Sequence, residues 1–152
     1  CVAAANVKAQ QTGQPAAAIE MADGTIIAGK TSHLLGASSS MLIKAMKYLA
    51  GIDQEIKLLS PSVIEPIMVT KRRFLGSDER SLLHLNELLI ALSVAATSDE
   101  NARRALDHLD RLKGLEAHCR VILSQIDMDI CKKIGINMTC EPQYEGTQLY
   151  HK

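Results

Sequence analysis

The sequence predicts an α/β fold: three layers, α/β/α, around a mixed sheet that opens on an N-terminal β-hairpin. One observation is the Asp23-Gly24 pair set between two runs rich in strand-forming residues, a strong hairpin signal. Another is the alternation of short β-type runs with helical ones in the second half, which calls for crossover connections and a sheet covered on its faces. The third is a series of leucine and alanine stripes at helical spacing. With 152 residues, the chain has one-domain length and enough material for a core.

Residues 2–11, rich in Ala and Gln, read as the tail of a helix stopped at Thr12-Gly13-Gln14-Pro15. Strand 16–21, a two-residue turn at Asp23-Gly24 and a return strand 25–29 follow. This stretch also matches the phosphate-loop pattern, because Gly24 to Thr31 spells G-x-x-x-x-G-K-T. A phosphate loop needs a flexible turn inside the pattern, and here Thr25, Ile26 and Ile27 are β-branched and favour extended backbone. In a hairpin the two glycines lie roughly 16 Å apart at about 3.3 Å per residue, too far to form one phosphate nest. The hairpin is the favoured reading.

Lys30 to Gly36 is a loop. Ser38-Ser39-Ser40 opens a helix as capping residues, with Leu42, Ala45, Met46 and Leu49 as its stripe and Gly51 as its stop. Glu55 to Leu59 reads as a strand, and Pro66 as the first turn of a helix reaching Phe74, with Lys71-Arg72-Arg73 at its positive-tolerant end. Gly76 to Arg80 is a loop. His84 to Ala96 is an apolar helix, and the stretch Leu82 to Ala96 suits either a core or an interface. Ser98-Asp99 starts a helix with Ala102, Ala105, Leu106, Leu109 and Leu112 inward and Gly114 as its stop. Then come strand 118–123, helix 127–134 and strand 136–140. The resulting division is 1–14 as the tail of a preceding helical segment, 15–142 as a single α/β domain, and 143–152 as a C-terminal tail.

Composition excludes several function classes. Lys plus Arg and Asp plus Glu number 17 each, so no net field draws the chain to nucleic acid or an anionic membrane. Aromatics are 3% of residues, with one Phe, too few for base-stacking platforms. No apolar run approaches the roughly 20 residues of a membrane span. Cys1, Cys119, Cys131 and Cys140 show no C-x-x-C and no zinc spacing, so reduced structural thiols in a cytoplasmic protein are expected, with no metal and no cofactor. The chain opens on Cys1, already helix-like, as a piece of something longer would.

Three groups of residues have chemistry to offer. Lys30, Thr31, Ser32, Ser38 and Ser39 bring a cation and hydroxyls to a strand end and a helix start, where a phosphate or carboxylate could bind. His33 is a possible acid/base beside them. The competing reading is an ordinary cap and a solvated lysine, and it is favoured. Glu116 and His118 alternate onto one strand face and could form a catalytic or binding pair. Their place at the start of a strand, away from the carboxyl-end crevice, favours a structural histidine. His84 and Glu87 share a helix face, where a dipole-favoured exposed Glu is the plainer reading.

The runs Pro15-Ala16-Ala17-Ala18-Ile19-Glu20, Asp23-Gly24 and Gly29 to Ser38 resemble an uncharacterised bacterial family, the domain of unknown function number eighteen forty-six. So do Leu59 to Ile67, Glu87 to Ser93 and Lys113-Gly114-Leu115-Glu116-Ala117-His118. The resemblance spans nearly the whole chain and points to the C-terminal region of longer proteins. It implies a cytosolic bacterial protein without an assigned activity, in which this piece is an accessory or assembly domain. Its partners would be the N-terminal part of the same chain and a second copy in a homo-oligomer. The alternative is an enzyme subdomain for a phosphate-bearing or nucleotide-like anionic small molecule at residues 30–40. The opening topology is also similar to the cytidine-deaminase fold, but the zinc-ligand motifs of that family are missing at Ala37-Ser38-Ser39-Ser40 and elsewhere.

Overall fold

The computed structural model describes residues 1–13, 16–32, 35–76 and 82–141. The expected stop at Gln14-Pro15, the residue His33, most of the loop expected over 76–80 and the tail 143–152 lie outside the described residues. The elements in order are α1 (Val2–Thr12), β1 (Ala16–Glu20), β2 (Ile26–Lys30), α2 (Ala37–Ala50), α3 (Pro61–Phe74) and α4 (Leu85–Ala95). Then come α5 (Glu100–Asp107), a 3-10 turn (Leu109–Leu112), β3 (Glu116–Cys119), α6 (Gln125–Ile134) and β4 (Asn137–Cys140).

The hairpin forms where the turn chemistry places it. β1 and β2 pair antiparallel, with Ala16 opposite Lys30 and Glu20 opposite Ile26. The turn is one residue longer than expected. Met21 N–H bonds Thr25 O at 2.8 Å, and Gly24 N–H bonds Met21 O at 2.9 Å. Gly24 takes φ 88°, the left-handed conformation that a three-residue hairpin loop needs at its last position. Asp23 closes it by accepting from Thr25 N–H at 2.9 Å and from the Tyr48 hydroxyl at 2.5 Å. The Tyr48 bond, then that of Thr25, holds the Asp23 carboxyl below its ordinary range. Gly24 and Gly29 therefore flank one strand and form no phosphate loop.

The sheet order is β2-β1-β3-β4. β1 is antiparallel to both neighbours, while β3 and β4 are parallel and are joined through α6. The sheet is thus mixed. One face carries Ala17, Ile19, Ala117 and Cys119 into the main core, with Leu42, Met46, Leu88, Leu92 and Cys131. The alternate residues Ala16 and Ala18 are also buried, with Ala5 of α1, and α1 packs over β1, β2 and β3. The layers are therefore α1, the sheet, and the larger helical layer with α2, α4, α5 and α6.

Three expectations about elements are corrected. Residues 55–59 form turns and bends in place of a strand. The Asp53 carboxylate accepts from Glu55 N–H at 2.9 Å and its carbonyl from Ile56 N–H at 3.0 Å, and such local bonds compete with extended backbone. The helix expected to start near Pro66 starts at Pro61, behind Ser60, and Pro66 lies inside it on the exposed side. The strand expected over 118–123 covers Glu116–Cys119, because the partner β1 offers pairing only from Ala117 to Cys119. Val121 and Leu123 are buried outside it.

Candidate functional site

The carboxyl ends of the parallel strands β3 and β4 bring together a group of polar side chains. His118 and Thr139 are register partners, on the face that α1 covers in part. The His118 ring is 5% exposed, and its Nδ1 lies 2.8 Å from Thr139 Oγ1. Its Nε2 has no hydrogen-bond partner among the described residues and stands 3.6 Å from Glu141 Oε1. The other carboxylate oxygen, Oε2, is 3.3 Å from Arg120 Nε, and Arg120 Nη1 donates to Asn6 Oδ1 of α1 at 2.6 Å.

The sequence pointed to Glu116 and His118 as a pair. Glu116 lies at the amino end of β3, exposed, and its carboxylate accepts from Asn137 Nδ2 at 3.3 Å. His118 instead joins Thr139, Glu141 and Arg120. With β3 running from 116 to 119, His118 is next to the carboxyl end, where crevices of α/β sheets form. Thr139, Glu141, Arg120 and Asn6 had no motif. The signal that could have found them is that Arg120 and Glu141 each directly follow the last residue of two adjacent parallel strands.

The β2–α2 junction holds the other expected group. Lys30 ends β2, exposed. Lys44 of α2 donates to Ala28 O at 3.2 Å. Burial lowers the Lys44 pKa, and the like charges of Lys8 and Lys30 lower it further, so three cations converge at this edge. The Thr31 hydroxyl oxygen is buried and has no hydrogen-bond partner among the described residues. Ser32 closes the loop, its Oγ accepting from Leu35 N–H at 3.1 Å. Ser38 and Ser39 are not caps: Gly36 is the N-cap of α2. Both serines are buried, and Ser39 Oγ donates to Leu83 O at 3.4 Å.

His84 and Glu87 turn out to be structural. Glu87 Oε1 accepts from His84 N–H at 2.8 Å and from Lys71 Nζ at 2.7 Å. Lys71, read as part of an ordinary charged helix end, is 4% exposed and also donates to Leu82 O at 2.9 Å. The cysteines are free thiols, with Cys119 and Cys131 buried. Burial pushes the Cys131 thiol up to about 12, with Asp127 and Cys140 adding to the shift, so it stays protonated. Among the described residues no group of three or more His, Cys, Asp or Glu could hold a metal ion.

The family model for the domain of unknown function DUF1846, C-terminal, matches residues 1–150. The chain belongs to this family. The DUF1846 C-terminal domain described here is 50% identical over 151 residues to the UPF0371 protein cu0538 of Corynebacterium urealyticum, covering 99% of this chain. It is 45% identical over 151 residues to a UPF0371 protein of Streptococcus thermophilus, again over 99% of this chain. The chain spans about 30% of the length of these relatives, so the DUF1846 C-terminal domain is one part of a longer protein.

Proposed function

We propose that this domain is the assembly unit of a longer cytoplasmic protein, and that the preceding part of the same polypeptide packs against its outer helical face. The observation that carries this reading is α4. Leu88 and Leu92 are 0% exposed, whereas Ile90 and Val94 are 63% and 66% exposed. The helix is thus apolar on the outside as well as the inside, the pattern of an element covered on both sides. Val69, Phe74 and Leu75 at the end of α3 are exposed apolar residues too. The share of the relatives' length beyond this chain supplies an occupant. Among the described residues no helix is long and apolar enough to cross a membrane.

Ile90→Glu with Val94→Glu in the full-length protein tests this. The changes lie outside the core, so the domain's own stability should move by no more than about 0.5 kcal/mol each. Protease cleavage between the domain and the rest of the chain is expected to speed up, with the mass by light scattering unchanged. A halved mass would assign the face to a second copy in a homo-oligomer. No change in either would end the reading.

The convergence of Lys8, Lys30 and Lys44 favours a second reading, an anionic small molecule held at the β2 edge with Thr31 behind it. Inorganic phosphate is then expected to raise the melting temperature of the full-length protein, and Lys30→Ala is expected to remove that rise. A phosphate effect that survives Lys30→Ala would count as ordinary salt stabilisation.

A further inference from the structure

Hydrogen-bond counting at His118 leads to a binding site that neither proposal above uses. A threonine hydroxyl has one hydrogen to give. Thr139 Oγ1 gives it to Ala117 O at 3.3 Å. With that hydrogen on Ala117 O, the same oxygen accepts from His118 Nδ1, 2.8 Å away. In that arrangement the proton sits on Nδ1, and Nε2 of a neutral ring is the bare nitrogen. Among the described residues the buried Nε2 has no hydrogen-bond partner, and it faces the Glu141 carboxylate across 3.6 Å. Two acceptors oppose each other at a separation too long for a direct hydrogen bond. A single donor atom about 2.8–2.9 Å from each would join them.

The surroundings say what kind of donor. Arg120 already pairs with the far oxygen of Glu141, so the carboxylate charge is met and a further full cation is not required. Asn137 and Thr139 of β4 are exposed, and Glu141 and Arg120 are partly so. This polar shelf therefore reaches solvent along β4, beside the half of the sheet face where α1 packs. Its position, at the carboxyl ends of two adjacent parallel strands, is where α/β sheets bind small molecules.

We propose that His118 carries its proton on Nδ1, and that His118 and Glu141 form the floor of a site for a small polar molecule with an amine or primary-amide nitrogen, which gives one hydrogen to Nε2 and another to the carboxylate. Thr139 fixes the ring tautomer, and Arg120, held by Asn6, orients Glu141. Both are positioning residues.

The test uses the full-length protein with ring-15N-labelled histidine. The His118 nitrogens report the tautomer directly, and ethanolamine, ammonium chloride and acetamide serve as probes. The expected result is an Nδ1-protonated neutral ring whose Nε2 resonance shifts saturably with at least one probe. Glu141→Gln supplies an amide N–H that can itself donate to Nε2. It is expected to raise the melting temperature and to weaken the responding probe by about tenfold or more, the loss of one good contact. A ring protonated on Nε2 alone, or on both nitrogens with Glu141→Gln lowering the melting temperature, would show direct pairing with Glu141 and overturn the proposal. A neutral ring that responds to none of the three probes would show a structural water only, and would overturn it equally.

Discussion

Gly29→Ala is expected to lower the stability of the domain by about 3 kcal/mol or more, toward the upper end of overpacking costs. A Cβ built at Gly29 would lie 2.4 Å from Met41 N, 2.8 Å from Ser40 C and 2.9 Å from Met41 Cα. All three are backbone atoms in the first turns of α2, so no side chain can swing aside. Either β2 or α2 must move, and α2 carries Met41, Leu42, Ala45 and Met46 into the core. Urea unfolding should show the loss as a lower midpoint. Gly36→Ala is the control, because nothing lies within 4 Å of its added carbon. It sits at a helix N-cap and should cost no more than about 1 kcal/mol. Equal losses at both positions would show that the close approach of β2 to α2 is not what matters.

Glu87→Ala is expected to cost about 3 kcal/mol. Removing one partner of a buried ion pair leaves the other charged and unpaired. Among the described residues Lys71 keeps only Leu82 O at 2.9 Å, and the amide of His84 loses its acceptor. The Glu87 side chain is about a quarter exposed, against 5% for Lys71, so the two single substitutions should differ. Lys71→Met removes the buried charge and leaves Glu87 its amide partner and water, so a smaller loss is expected. The double variant Lys71→Met with Glu87→Leu should be more stable than Glu87→Ala. Additive losses in a double-mutant cycle would show that the pair is not coupled.

The hairpin was legible because its determinants are adjacent in sequence: a turn glycine, an aspartate before it and β-branched residues after it. The helices of the larger layer were legible for the same reason, since a stripe at helical spacing is a local pattern. What escaped was decided by partners. Leu58 and Leu59 are both buried although neighbours, which defeats any alternation argument, and the Asp53 side chain sets the turn before them. The extent of β3 depends on what β1 offers across the sheet, and this shifted His118 from a strand's beginning to near its end. Lys71 was hidden by its cationic neighbours. Yet it follows Ile64 and Met68 at helical spacing on the buried side of α3, a signal that was available. Of the candidate site, His118 was named from sequence, while Glu141 and Arg120 become meaningful only once two strands are known to be parallel and adjacent.

β1 sits in the middle of the sheet, yet one of its two flanks is filled by β3, with Ala17 opposite Cys119. Nearly the whole intervening chain must be synthesised before that flank closes. Until then the hairpin has an open side with unpaired amides, a hazard for mispairing between nascent copies. The loop that must close is long, so sheet completion should be the slow, late step of maturation. α1 and α2, which can settle on the hairpin from either side beforehand, would shield it in the meantime.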